Sequence, residues 1–271
     1  YKEIITPIFE NADLFKKPLG ENSDVVLKEM YTFKDLNESF LTLRPEYTTP
    51  IIRAAISNNL LDKLPVKIYG FGPMFRRERP QRGRFRQFNQ INVELFGSSD
   101  VFSDLEIILL ADEFLKKVIN KDNYNLYINS LGDKDTLKKY KEVLSNYFDK
   151  YVSDLSQESK IKIKSNPLRI LDSKDKNDIE IGKNSPKIET LYSTEARNTF
   201  DQVQSLLLKY GVKYTVDQNL VRGLDYYCST VFEFKSNKGE YKDTLIGGGR
   251  YDGLIKMLGG PDIPGIGWAG G

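Results

Sequence analysis

The sequence contains no histidine and a single cysteine, Cys228. The first absence removes Ser-His-Asp and Cys-His nucleophilic machinery. The second rules out an intramolecular disulfide framework. Together they argue against a structural zinc site, because Cys and His are the usual ligands of zinc. No apolar run approaches the roughly 20 residues a membrane-spanning helix needs, so no membrane partner is expected. No secretory leader is visible either: Lys2 and Glu3 interrupt the opening stretch. The chain opens on Tyr1 rather than Met and reads as a truncated start.

What remains is ordinary for a globular protein: 271 residues, 39% hydrophobic and 29% charged. That length suits one large core or a core with a smaller module. Chemistry must therefore run on Arg, Glu, Asp, Gln, Tyr, Lys and bound metal. The net charge of +2 does not predict nucleic-acid binding by itself. Locally the picture differs, because residues 76–86 hold six arginines in a chain whose usual cation is lysine. Arginine presents a rigid fork of donors suited to phosphate and carboxylate.

The local patterns predict a mixed order of elements. Ile4 to Phe9 reads as a strand interrupted by Pro7, hence at an edge or interface. Met30–Phe33 and Phe40–Arg44 read as short strands around a polar turn. A helix is predicted to start with Thr49 as its cap and Pro50 in first position. Val66–Phe71 reads as a strand that breaks at Gly72-Pro73 and resumes at Met74. Phe88–Phe96 returns as a strand with Gln90, Asn92 and Glu94 on one face and Ile91, Val93 and Leu95 on the other. A polar face amid core-like neighbours is either solvated or lines a pocket. Ser103 and Glu106 suggest a capping box for the next helix.

Composition shifts after Gly132. A Lys-rich helical stretch spans residues 134–164, a polar stretch runs to Pro186, and a second helix covers roughly Ser193–Tyr210. Its lysines fit either a nucleic-acid face or plain solvation. Strand patterns return at Val212–Val216, Leu220–Val221, Tyr226–Phe234 and Thr244–Ile246. Gly247-Gly248-Gly249 then closes a strand, where a ligand could approach the backbone or a simple bulge could form. No Gly-Lys-Ser/Thr follows, so this is not a Walker loop.

Several strings resemble those of histidyl-tRNA synthetases. Leu43-Arg44-Pro45-Glu46-Tyr47-Thr48 is similar to the family's LRPEGT element, and residues 72–88 to its form of class II motif 2. Leu220 to Tyr227 and Gly247 to Gly253 resemble its two histidine-specific signatures. Thr6-Pro7 resembles the motif 1 proline, and Gly265 to Gly271 the start of motif 3. The resemblance runs along essentially the whole chain.

The resemblance implies an α+β fold: a class II antiparallel sheet flanked by helices. Residues 1–130 and 211–271 would form the catalytic core, and residues 131–210 a helical insertion approaching the tRNA acceptor arm. It also implies a homodimer, and a C-terminal anticodon-binding domain and motif 3 arginine that this chain does not contain; the lack of a targeting sequence, separately, favours the cytoplasm. The implied activity is ATP-dependent activation of L-histidine, with Mg²⁺ accompanying the phosphates, and transfer of histidine to tRNA(His).

Residue by residue, the resemblance makes Arg76 and Arg222 the catalytic pair around the α-phosphate and the histidine carboxylate. Glu46, Thr48 and Gln90 would accept the ammonium of histidine, beside Tyr47. Glu94 and Tyr227 would read the two imidazole nitrogens, with Tyr226 and Tyr251 as walls. For ATP, Arg84 would meet the γ-phosphate, Phe88 the adenine, and Glu78 the adenine side or a structural partner. Two residues depart from the pattern. Tyr47 stands where glycine is usual, and Asn89 stands where histidine is common but alternates away from Gln90. The alternative is a synthetase-like subunit that senses histidine without charging tRNA.

Overall fold

Alternation between Gln87 and Phe96 produces the long strand on which the rest of the first unit is organised. The computed structural model describes residues 1–21, 23, 25–78, 84–119, 123–238 and 244–271. The chain divides into two compact units, one of residues 1–111, 224–226 and 245–271, the other of residues 112–223 and 227–244. It is α+β with antiparallel pairing dominant, as the sequence predicts.

In the first unit, β1 (Lys2–Glu3) lies at the edge beside β5 (Val66–Phe75), followed by β6 (Gln87–Phe96), β11 (Gly265–Gly270) and β10 (Thr244–Arg250). Only the β1–β5 pair is parallel; the others are antiparallel. A smaller sheet has the order β2 (Phe9–Asn11), β4 (Phe40–Leu43), β3 (Tyr31–Lys34). Helices α1 (Asp13–Leu19), α2 (Thr48–Ser57), α8 (Leu254–Met257) and the first part of α3 (Val101–Val118) accompany these strands. Ile51 and Ile52 of α2, Val93 and Leu95 of β6, and Ile107 and Ile108 of α3 are buried. The polar face of β6 is buried as well, with Asn92 and Glu94 each 1% exposed. Solvation is thus excluded as the reason for the Asn92 and Glu94 end of that face.

The second unit is centred on β7 (Tyr124–Ser130), antiparallel to β9 (Cys228–Ser236) and parallel to β8 (Tyr214–Val216). Its helices are α4 (Lys134–Asp149), α5 (Gln157–Ser165), α6 (Lys176–Lys183) and α7 (Thr194–Lys209). Each begins on a side-chain cap: Asp133, Ser156, Asp175 and Ser193 accept first-turn N–H groups. Asp178 is fully buried and ties three segments together. Its carboxylate accepts from Ser156 N at 2.9 Å and from the hydroxyls of Ser156, Ser159 and Ser173, each at 2.7 Å. Among the described residues no helix is long and apolar enough to cross a membrane.

The structure corrects several local expectations. The Gly72-Pro73 pair does not break β5, which runs through it in register with Gln90 and Asn89. The Pro73 carbonyl accepts from Arg44 Nε at 2.9 Å, so the imide side of Pro73 also faces away from β6 and no ladder bond is lost. A Cβ at Gly72 would lie 2.5 Å from the Arg44 guanidinium, so that glycine makes room for Arg44. The Ile4–Phe9 strand shrinks to flanking pieces, because the Thr6 and Pro7 carbonyls are taken by Arg44 Nη1.

Thr49 does not cap α2. The carboxylate of Glu46 reaches the helix first, accepting from Thr48 N at 2.7 Å and Thr49 N at 3.0 Å. The Ser103–Glu106 box is absent, since α3 starts earlier and Asp100 Oδ1 accepts from Phe102 N at 2.9 Å. Glu106 instead accepts from Lys67 Nζ at 2.7 Å and the Tyr1 hydroxyl at 2.9 Å. The polar stretch before Pro186 contains α6, a short helix whose only large apolar residues are Ile179 and Ile181. Leu220 and Val221 are buried but form no strand. The glycine triplet lies within β10 rather than at its end.

Candidate active site

The buried polar face of β6 supplies the floor of the candidate site. Glu94 Oε1 accepts from the Thr48 hydroxyl at 2.7 Å, and its Oε2 accepts from the Tyr251 hydroxyl in a short contact. Glycines make both contacts possible. Gly267 pairs with Glu94 across β11, and a Cβ there would fall inside the Glu94 carboxylate. Gly265 gives way in the same manner to the ring of Tyr251. The rings of Tyr226 and Tyr251 meet edge to face at 5.7 Å.

Burial raises the pKa of Glu94 to about 8. Hydrogen bonds from Tyr251, Thr48 and Asn92 oppose that rise, and the charge of Glu46 adds to it. Burial likewise raises the pKa of Glu46, against hydrogen bonds from Thr49 and Thr48 and the nearby Arg76. Two buried carboxyls therefore share one polar cluster, and Glu94 titrates near neutrality. Gln90 Oε1 and Asn92 Oδ1, on the same strand face, are buried and have no hydrogen-bond partner. Buried acceptors of this kind are rare unless something supplies their donors.

Arg76 follows β5, where its Nε donates to Pro45 O at 2.9 Å and its guanidinium lies 5.5 Å from the Phe88 ring centre. Arg84 pairs with Glu78 at 3.0 Å, and Arg86 Nε donates to Glu78 O at 3.3 Å. Arg79, Pro80, Gln81, Arg82 and Gly83, the middle of the arginine-rich segment, lie outside the described residues. Asn89 is exposed, consistent with its alternation away from Gln90.

Tyr47 does not face the Glu94 cluster. Its ring fills the space left by Gly70, lies 4.2 Å below the Arg44 guanidinium, and donates its hydroxyl to Ile4 O at 3.3 Å. The larger side chain in this position thus extends toward the edge of the sheet. In the second unit, Arg222 forms a short ion pair with Glu233, and its guanidinium lies 5.7 Å from the Tyr227 ring centre. Lys235 also reaches Glu233, at 3.0 Å.

The structure therefore groups Thr48, Glu46, Glu94, Tyr226 and Tyr251 within the first unit, with Arg76 near Glu46 and its guanidinium beside the Phe88 ring. Sequence reasoning noted Asn92 only as a member of the polar face. It gave Gly265 and Gly267 no role beyond a motif, because only the β6–β11 register brings them against Glu94 and Tyr251. No group of three or more His, Cys, Asp or Glu able to hold a metal ion occurs among the described residues.

The family model for histidyl-tRNA synthetase matches residues 1–270. The chain belongs to the histidyl-tRNA synthetase family. It is 49% identical to the histidine–tRNA ligase of Orientia tsutsugamushi (strain Boryong), with 100% of this chain aligned to 66% of that protein. It is also 49% identical to the ligase of Wolbachia pipientis subsp. Culex pipiens (strain wPip), over 98% of this chain and 65% of that protein. Among solved structures, the apo histidyl-tRNA synthetase of S. aureus superposes with a TM-score of 0.77 and 35% identity. That match covers 100% of this chain and 63% of the other. The chain thus spans about two thirds of the length of these synthetase relatives.

Proposed function

We propose that this chain is the catalytic part of a histidine–tRNA ligase, which activates L-histidine with ATP and transfers it to tRNA(His). The observation that carries the reading is the β6 face, where a buried Glu94 held by Thr48 and Tyr251 adjoins the unpaired acceptors of Gln90 and Asn92. A free amino acid brings an ammonium group, whose donors match such acceptors. An imidazole has two ring nitrogens to satisfy, and Glu94, which burial pushes toward its protonated form, can donate to one of them or accept from it.

In this reading Glu94 and Tyr227 meet the two imidazole nitrogens, with Tyr226 and Tyr251 as walls. Glu46, Thr48 and Gln90 receive the ammonium. The reaction needs no protein base, because the attacking group is already a carboxylate. Its oxygen attacks the α-phosphorus of ATP, the bond to the β-phosphate bridging oxygen breaks, and pyrophosphate leaves. Arg76 and Arg222 hold the carboxylate and stabilise charge on the α-phosphate. Phe88 stacks on adenine, and the Glu78–Arg84 pair opens so that Arg84 meets the γ-phosphate. Mg²⁺, when bound, would supply charge neutralisation on the β- and γ-phosphates.

We further propose that residues 1–130 and 211–271 act as the core, that the helices between 131 and 210 approach the tRNA, and that the protein works as a homodimer. Charging of tRNA(His) with radiolabelled histidine by the full-length protein tests the reading. Histidine attached to the tRNA 3′ end is the expected product. Histidine binding without charging would instead assign the chain to the histidine-sensing subunits that share this fold.

A further inference from the structure

A buried ion pair outside the recognition cluster sits one residue from it. Arg250, the last residue of β10, is 3% exposed and Asp104 of α3 is 0% exposed. Arg250 Nε donates to Asp104 Oδ1 at 3.1 Å and to Oδ2 at 2.9 Å, and Nη2 donates to Oδ2 at 2.5 Å. The remaining donors are also engaged: Nη1 meets Ser98 O at 3.1 Å, and Nη2 meets Asp100 O at 2.9 Å. The guanidinium therefore fastens the strand end to the loop and first turn that open α3. A buried pair of this kind is weak evidence of stability, since desolvation offsets much of its attraction. What it fixes without ambiguity is geometry, because a planar fork satisfied on every side admits one placement.

The residue so placed is the neighbour of Tyr251. Tyr251 N donates to Gly265 O at 2.9 Å, and Asp252 Oδ1 accepts from Gly265 N at 3.1 Å while lying 3.6 Å from Arg250 Nη1. Tyr251 is thus held on both sides along the chain, with its ring against Gly265 and its hydroxyl on Glu94. We propose that Arg250, through Asp104, is a positioning residue for histidine recognition, setting the Tyr251 hydroxyl against Glu94. The inference rests on the reading that Glu94 receives the imidazole. A misplacement of about 1 Å in such a constellation is worth on the order of 10²-fold.

The test is steady-state ATP–pyrophosphate exchange by the full-length protein carrying Arg250→Lys, Tyr251→Phe, or both. Lysine keeps the charge beside Asp104 and cannot bridge to Ser98 O and Asp100 O together. Arg250→Lys should raise the histidine KM about tenfold or more and leave the ATP KM within about twofold. Tyr251→Phe should show the same split, and the double variant should be no worse than Tyr251→Phe alone, because the two act as one unit. If Arg250→Lys does not fold, Asp104→Asn keeps the shape of the pair and is held to the same pattern. The proposal is overturned if the histidine KM of the clamp variant is unchanged while Tyr251→Phe raises it. It is equally overturned if both KM values rise together or the two effects multiply. If Tyr251→Phe itself leaves the histidine KM unchanged, the recognition reading falls and the proposal falls with it.

Discussion

Thr48 and Glu94, 46 residues apart in sequence, meet through a 2.7 Å hydrogen bond from the first residue of α2 to the C-terminal part of β6. Glu46 binds the same helix start from the other direction, so the carboxyls of Glu46 and Glu94 are organised around one helix terminus. The macrodipole of α2 favours negative charge there, while burial disfavours it. Burial wins for Glu94, whose pKa is raised to about 8.

That balance makes stability depend on pH. The folded chain keeps a proton on Glu94 that the unfolded chain has released above its ordinary carboxyl value. The stabilising contribution is complete below about pH 4.5 and is lost as pH climbs to about 8. Glu46, raised in the same direction, adds to the trend. Melting temperatures of the unliganded chain should therefore fall between pH 5 and pH 8, and Glu94→Gln should flatten the decline. Parallel wild-type and variant curves would contradict the assignment.

Gly267→Ala probes the space reserved for Glu94. Its Cβ meets both the carboxylate and the Val93 carbonyl, which lies 2.5 Å from it. Overpacking against backbone costs about 1–3 kcal/mol, and urea unfolding should register that loss. Calorimetry should also show histidine affinity reduced by about 10-fold or more, because the Glu94 oxygens must move.

Glu46→Ala removes two acceptors from the first turn of α2. Loss of such a cap should cost about 1–2 kcal/mol, read as a lower urea midpoint. Thr49→Val, by contrast, removes only the hydroxyl and should cost less. The reverse order would return the cap to Thr49.

Asp178→Ala tests the second unit. Burial opposes ionisation of Asp178, yet hydrogen bonds from Ser156, Ser173 and Ser159 hold its pKa below the usual range. The alanine strands those donors and should destabilise the chain by about 2–4 kcal/mol in chemical denaturation. Asp178→Asn, which keeps part of the acceptor set, should lie between the two.

Much of this was legible in the sequence where a pattern and its partner lay close together. The alternation of β6 gave both the strand and the residues on its polar face, because period 2 is a local property. The helices capped by Asp133 and Ser193 followed from composition and periodicity. What failed depended on partners distant in sequence. Gly72-Pro73 looks like a break until Arg44 is seen to use that side of β5. Tyr47 stands where glycine is usual, and nothing local shows where its ring goes until Gly70 is seen to receive it. Glu46 looks like a ligand contact alone until it is seen to cap α2. The Arg250–Asp104 clamp joins residues 146 positions apart, and no local pattern announces it.

Histidine-dependent ATP–pyrophosphate exchange reads the activation of histidine itself. It should be measured on this chain and on the full-length protein, with histidine and with other amino acids in turn. The full-length protein should exchange label with histidine alone, and Arg76→Ala and Glu94→Gln should each reduce kcat/KM for histidine by about 10²-fold or more. A folded full-length protein that binds histidine and ATP yet never exchanges label would contradict this.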